Sequence, residues 1–295
     1  MTGLSASAAM RGGQEFFVGQ RPHQMYVQRW TPADGAAARP APIVLIHGGV
    51  HTGVCWTTTP DGNPGWAPYL ASVGWPVYVV DWPGVGRSGF APDYLTMGPT
   101  PIVDALLALL ERLGPAILVG HSIGAALSFK VADRTAERVR AIVALTPGPI
   151  ANVPFPIPLK PADAAAYFGA DEARRFFITS ERFPTEATEQ YLSSLVPMSP
   201  SIENSLGDRG RDDFRINHPA TVGRVPILFL AADGDPLATN AVTEPMAKLF
   251  GVAHTLVGRD WGLPGFGHML IIERGTLDIA ARVSAWLEDA AAKTP

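Results

Sequence analysis

The chain has 295 residues, 47% of them apolar and 17% charged, with a formal net charge of −4. This length can bury a large core, and the slightly acidic balance excludes a general basic footprint for nucleic acid. The one cysteine, Cys55, excludes an intrachain disulfide or a multi-cysteine zinc site; with no 18-residue apolar run and no apolar leader in residues 1–20, a cytoplasmic location without a membrane span is expected.

Residues 1–13 are mostly small and are expected to be disordered. Short strands follow at 15–18 and 25–30, around a turn at 20–22. Compact apolar runs then stand at 43–46, 77–80, 117–119, 141–145 and 227–230, and His254 begins a last strand. Such runs do not alternate with polar residues, so they mark strands buried on both faces, as in a parallel sheet. Helical patterns lie between them at 66–73, 123–133 and 277–291. A further helix is predicted to open with Thr100 as its cap and Pro101 at its first position, and to stop at Gly114-Pro115. Strands alternating with helices imply right-handed crossovers and an α/β fold. One connection, from 146 to 226, is too long for a crossover. Its helical stretches near 162–168, 171–177 and 185–195 suggest a helical cap inserted at 149–222, dividing the core into 14–148 and 223–295.

Gly120-His121-Ser122-Ile123-Gly124 matches G-x-S-x-G. Five residues alone are weak evidence, but this match follows a strand directly and opens a helix, the context of a nucleophile turn. The ordinary alternative is a helix-capping serine. A serine hydroxyl needs a base, and the base needs an orienting carboxylate. His268 stands in a loop before the final helix, from which it can reach back to Ser122. Asp233 and Asp235 follow the strand at 227–230; Asp235 is the favoured acid and Asp233 the reserve, since one of the two serves the turn itself. Acyl transfer builds charge on a carbonyl oxygen, and the backbone amides of Ile123 and Gly49 are the candidate donors for it. Candidate substrate contacts are Val50, Trp56, Trp82, His121, Phe155 and Ile157. His47, at a strand end, is read as structural. Gly84-Val85-Gly86-Arg87-Ser88-Gly89 has the form G-x-G-x-x-G, yet a loop with Pro92 follows it where dinucleotide binding needs a helix.

The chain resembles the α/β-hydrolase family through HGG at 47–49, DWPGVGRSG at 81–89, GHSIG at 120–124, DGD at 233–235 and GFGH at 265–268. The resemblance implies an eight-stranded, mostly parallel sheet, a Ser-His-acid triad, and neither cofactor nor metal. The stretch with Thr52-Gly53, Trp56, Thr58-Thr59-Pro60-Asp61-Gly62 and Gly65-Trp66 is similar to a branch of bacterial esterases. Members of that branch can carry adjacent cysteines after HG, where Gly49 and Val50 stand here. They can also take the acid after the sixth strand, where Thr146 stands.

The expected activity is hydrolysis of a carboxylic ester or lactone of a small hydrophobic molecule, roofed by residues such as Phe155. The same scaffold hosts carbon–carbon hydrolases, thioesterases and cofactor-free peroxidases, and a receptor with a vestigial triad is a further alternative. The oligomeric state stays open, a homodimer included.

Overall fold

A computed structural model of the protein describes residues 12–37, 39–156, 158–207 and 213–293. The expected disordered N-terminus falls largely outside them, but Gly12 and Gly13 already belong to a strand. The described residues form one eight-stranded sheet: β1 (Gly12–Val18), β2 (Met25–Trp30), β3 (Ile43–Ile46), β4 (Val77–Asp81), β5 (Ala116–His121), β6 (Val139–Leu145), β7 (Ile227–Ala231) and β8 (His254–Leu256). Their spatial order is β1-β2-β4-β3-β5-β6-β7-β8. The pairings of β2 with β1 and β4 are antiparallel and the others parallel. Every residue of β3, β4 and β5 is buried, as continuous apolar runs require.

The helices are α1 (Val54–Thr57), α2 (Trp66–Ser72), α3 (Pro99–Leu113), α4 (Ile123–Thr135), α5 (Ala170–Phe176), α6 (Thr188–Ser193), α7 (Pro200–Asn204), α8 (Pro219–Val222), α9 (Asn240–Phe250) and α10 (Thr276–Lys293). From β3 to β4 the chain steps one way across the sheet, and from β4 onward it steps the other way. Right-handed crossovers therefore put α2 on one face and α3, α4 and α9 on the other. The Trp66 and Trp75 indole N–H groups donate to Thr276 and Ser284 of α10, at 2.6 and 2.8 Å, fastening α10 beside α2. The reversal leaves a crevice at the carboxyl ends of β3 and β5, where open α/β sheets bind ligands.

Two expectations need correction. α3 starts at Pro99 with Gly98 as its cap, not at Thr100-Pro101. Both prolines sit in the first turn, where backbone N–H groups have no helical acceptor anyway. Residues 162–168 are not helical: Ala166 and Met198 exchange two backbone hydrogen bonds of 2.8 Å, a tertiary pairing that overrides local propensity. The sequence patterns do not mark α1, α7, α8 or α9. Val242, Met246 and Phe250 of α9 follow helical spacing before Gly251, but Pro245 interrupts the pattern.

Candidate active site

Ser122 lies between β5 and α4 with φ 53° and ψ −121°, a conformation rare for a residue with a side chain. The turn is tight enough to demand its two glycines. A Cβ on Gly120 would fall 2.4 Å from the Gly124 carbonyl, and one on Gly124 would fall 2.2 Å from the Ile46 oxygen. Gly48 lies against the nucleophile for the same reason: a Cβ there would be 2.9 Å from Ser122 Cβ.

His268 Nε2 is 3.1 Å from Ser122 Oγ, and His268 Nδ1 is 2.8 Å from Asp235 Oδ2. A carboxylate only accepts, so Nδ1 carries the proton and Nε2 is free to accept from the serine hydroxyl. His268 and Asp235 are 2% and 5% exposed, which removes water as a competing partner. Asp235 Oδ1 accepts from the Leu237 and Ala238 amides at 2.8 and 2.9 Å, so the carboxylate cannot rotate away. Asp233 is turned elsewhere and binds the Gly258 and Arg259 amides beyond β8.

The backbone of His268 is also held. Its carbonyl accepts from Thr146 Oγ1 at 3.0 Å and from His121 Nε2 at 2.9 Å. Burial, reinforced by the neighbouring His268, lowers the His121 pKa well below the usual value, which keeps that imidazole neutral. The preceding amide, Gly267 N–H, donates to buried Glu273 Oε2 at 2.9 Å. Burial pushes the Glu273 carboxyl up to about 7.

Ile123 is the first residue of α4, so its amide has no intrahelical acceptor and is available to an anion. In the loop after β3, the Gly48 carbonyl accepts a hydrogen bond from His47 Nδ1 at 2.8 Å. The amide on the opposite side of that planar unit, Gly49 N–H, therefore points away from His47. A little further on, Asp81 at the end of β4 accepts from the Gly53 amide at 2.7 Å and the Arg87 side chain at 2.8 Å. Burial alone would raise the Asp81 pKa, but Arg87 and these amides hold it below the usual carboxylate value. The glycine-rich run at 84–89 thus wraps a buried carboxylate; a Cβ on Gly86 would sit 2.6 Å from Asp81 Oδ2.

A cavity of about 480 Å³ opens over Ser122 and His268. Gly49, Val50, His121, Ile123 and Phe155 line it, as do Phe177 and Met198 from the chain between β6 and β7. Phe177 stacks on the His268 ring, with centroids 5.8 Å apart. Trp56 and Trp82 do not line it. Trp56 packs edge-on against Trp66, and Trp82 stacks on His47 with centroids 4.4 Å apart, so both are core residues. Ile157 lies outside the described residues. The wall is also less uniformly apolar than the sequence suggested, because Lys160, Glu172 and Glu203 contribute to it. His51, which no motif singles out, lines the cavity beside Val50. Cys55 is buried in α1 and away from the cavity, and burial pushes its thiol pKa up.

Among the described residues no cluster has the makings of a metal site, and no helix is long and apolar enough to cross a membrane. The chain is 25% identical to a fungal protein named probable secreted lipase phiG (Fungal sp., strain ATCC 74256), over 92% of this chain and 88% of that one. It is 33% identical to Lipase LipV of Mycobacterium tuberculosis, over 42% of this chain and 41% of the relative. A solved bacterial esterase superposes with a TM-score of 0.64 at 18% identity, covering 99% of both chains. An N-acyl homoserine lactonase superposes with a TM-score of 0.65 at 16% identity, covering 96% of this chain and 98% of that one. At such identities the two structures speak for the fold alone. The profile of the alpha/beta hydrolase fold matches residues 41–275, most of the chain and every element around Ser122, and the protein therefore belongs to that family.

Proposed function

We propose that the protein is a serine hydrolase that cleaves a carboxylic ester, lactones included, of a hydrophobic small molecule. One observation carries this reading: Ser122, His268 and Asp235 form an unbroken hydrogen-bonded row at the floor of a largely apolar cavity. The lipase names of the curated relatives support the ester class.

Ser122 Oγ attacks the substrate carbonyl carbon as its proton passes to His268 Nε2. Asp235 holds the imidazole in place and stabilises the imidazolium that forms. The amides of Ile123 and Gly49 hold the oxyanion, and preorganised donors of this kind contribute several kcal/mol to the rate. The imidazolium then protonates the leaving alcohol, which leaves an acyl-enzyme on Ser122. His268 next takes a proton from water, whose oxygen attacks the acyl carbon, and returns that proton to Ser122 Oγ as the acyl–oxygen bond breaks and the acid leaves. Residues 149–222 act as a cap whose apolar side chains select the substrate. We place the enzyme in the cytoplasm on its single cysteine; the relative named as secreted stands against that placement.

The test is burst kinetics with aryl esters, lactones and thioesters, together with fluorophosphonate labelling located by mass spectrometry. A burst and a label on Ser122 are expected, with turnover lost by about five to six orders of magnitude in Ser122→Ala. A label on Ser88, or binding without turnover, would overturn the reading.

A further inference from the structure

We infer that His51 is a positioning residue for the loop that carries the Gly49 amide: it locks the adjoining Gly49–Val50 peptide and couples it to the segment between β6 and β7 through Tyr191. The inference rests on the proposed acyl transfer at Ser122.

Two successive carbonyls in the loop after β3 are each held by an imidazole. The Gly48 carbonyl is bound by His47 Nδ1 at 2.8 Å, and the Gly49 carbonyl by His51 Nδ1 at 2.7 Å. In a planar trans peptide the N–H lies opposite the C=O, so fixing these oxygens fixes the directions of the Gly49 and Val50 amides. These are the peptides beside the nucleophile, since Gly48 lies against Ser122.

This loop would not hold its shape unaided. Val50 has φ 56°, a left-handed conformation that a β-branched residue seldom adopts. Such a residue persists only where its surroundings over-determine it. Two bonds do so here. His51 holds the carbonyl before Val50, and the Val196 amide donates to the carbonyl of Val50 itself at 2.9 Å.

The other ring nitrogen, His51 Nε2, is 2.9 Å from the Tyr191 hydroxyl on α6. Both side chains are buried, at 4% and 2% exposure. A carbonyl can only accept, so Nδ1 carries the ring proton. Burial holds the His51 pKa down to about 3, so Nε2 is bare and accepts from Tyr191 O–H. The nearby His47 and His268 reinforce that lowering; His121 lies edge-on at 6.5 Å and the Tyr191 hydroxyl faces Nε2. The donor chain thus runs one way, from Tyr191 through the imidazole to the Gly49 carbonyl. It spans the junction between the inserted segment and the sheet.

Donors that must be still when charge develops affect the transition state more than substrate binding. His51→Leu is therefore expected to lower kcat for an aryl ester by roughly ten- to hundredfold with KM little changed. His51→Asn, whose amide can still donate to the Gly49 carbonyl, should recover most of that loss. Tyr191→Phe keeps the packing and removes one O–H, and should lower kcat by a smaller factor. The infrared carbonyl stretch of the acyl-enzyme supplies a readout that simple destabilisation does not move. It should rise in His51→Leu and Tyr191→Phe and return toward the wild-type value in His51→Asn. Wild-type kcat and carbonyl frequency in both His51→Leu and Tyr191→Phe would overturn the inference while leaving the esterase reading intact. If His51→Leu does not fold, Tyr191→Phe decides by the same two measurements. A wild-type protein that forms no acyl-enzyme would instead remove the esterase reading, and this inference with it.

Discussion

Asp233 and Asp235 stand two residues apart on one loop, yet only Asp235 reaches His268. Its Oδ2 is 2.8 Å from His268 Nδ1, while Asp233 spends both oxygens on the amides of Gly258 and Arg259. Asp235→Asn should leave the fold intact and lower kcat by roughly 10³ to 10⁴, because an amide no longer fixes the imidazole tautomer. Asp233→Asn should cost far less in rate and show mainly as a lower melting temperature, through weaker bonds between the β7 and β8 exits. Steady-state kinetics and thermal melts of the two variants decide the assignment; a greater kcat loss in Asp233→Asn would reverse it.

Two alanine substitutions should separate stability from chemistry. A methyl on Gly124 would sit 2.2 Å from the Ile46 oxygen, a clash between backbone segments that no rotamer relieves. Gly124→Ala is expected to destabilise the protein by about 3 kcal/mol or more, read from denaturant unfolding. A methyl on Gly148 would sit 3.1 Å from the Ile123 nitrogen, against the amide assigned to the oxyanion. Gly148→Ala should therefore melt near the wild-type temperature and lose kcat by roughly tenfold or more. An unimpaired Gly148→Ala enzyme would place the oxyanion elsewhere.

Glu273 makes stability depend on pH with an unusual sign. In the folded protein burial keeps its proton to about pH 7, whereas its ordinary value is 4.5. Between those values the folded state binds more protons than the unfolded one, so this group lowers stability as pH rises through the window. The gap of about 2.5 units corresponds to about 3 kcal/mol. Glu273→Gln can still accept the Gly267 amide and has no proton to lose. Its stability advantage over wild type should be near zero around pH 4.5 and grow until about pH 7.5. A difference that stays flat across that range would show that Glu273 titrates normally.

His47 contributes the opposite slope. Burial lowers its pKa from 6.5 to about 4, so it stays neutral in the fold while the unfolded chain takes up a proton below 6.5. Its stabilising contribution is complete above that pH and is lost as pH falls toward 4. His47→Gln should flatten the acid limb of a urea-midpoint profile between pH 6.5 and 4. It should also weaken the hold on the Gly48 carbonyl and lower kcat. An acid limb as steep as in wild type would assign that limb to other groups.

Much of this molecule is written locally in its sequence. Strand runs such as Ile43–Ile46 and Val77–Val80 announce themselves because burial on both faces demands unbroken apolar residues. The turn at Ser122 is legible because only glycine fits at 120 and 124. Chain order pointed to His268 as the partner of Ser122, and the place of Asp235 further out on its loop favoured it over Asp233; the hydrogen bonds run along the same residues. Proximity in sequence misled where packing decided. Trp56 and Trp82 adjoin the motifs but turn into the core, and Ala166 leaves helical propensity for a pairing with Met198. His51 illustrates what the chain alone does not reveal. No motif or strand end marks it out as they do His47, His121 and His268, and its role depends on Tyr191, 140 residues away. Periodicity and glycine spacing record constraints within a few residues, whereas the His51–Tyr191 bond joins residues 140 apart and exists only where the chain between β6 and β7 packs against the loop after β3.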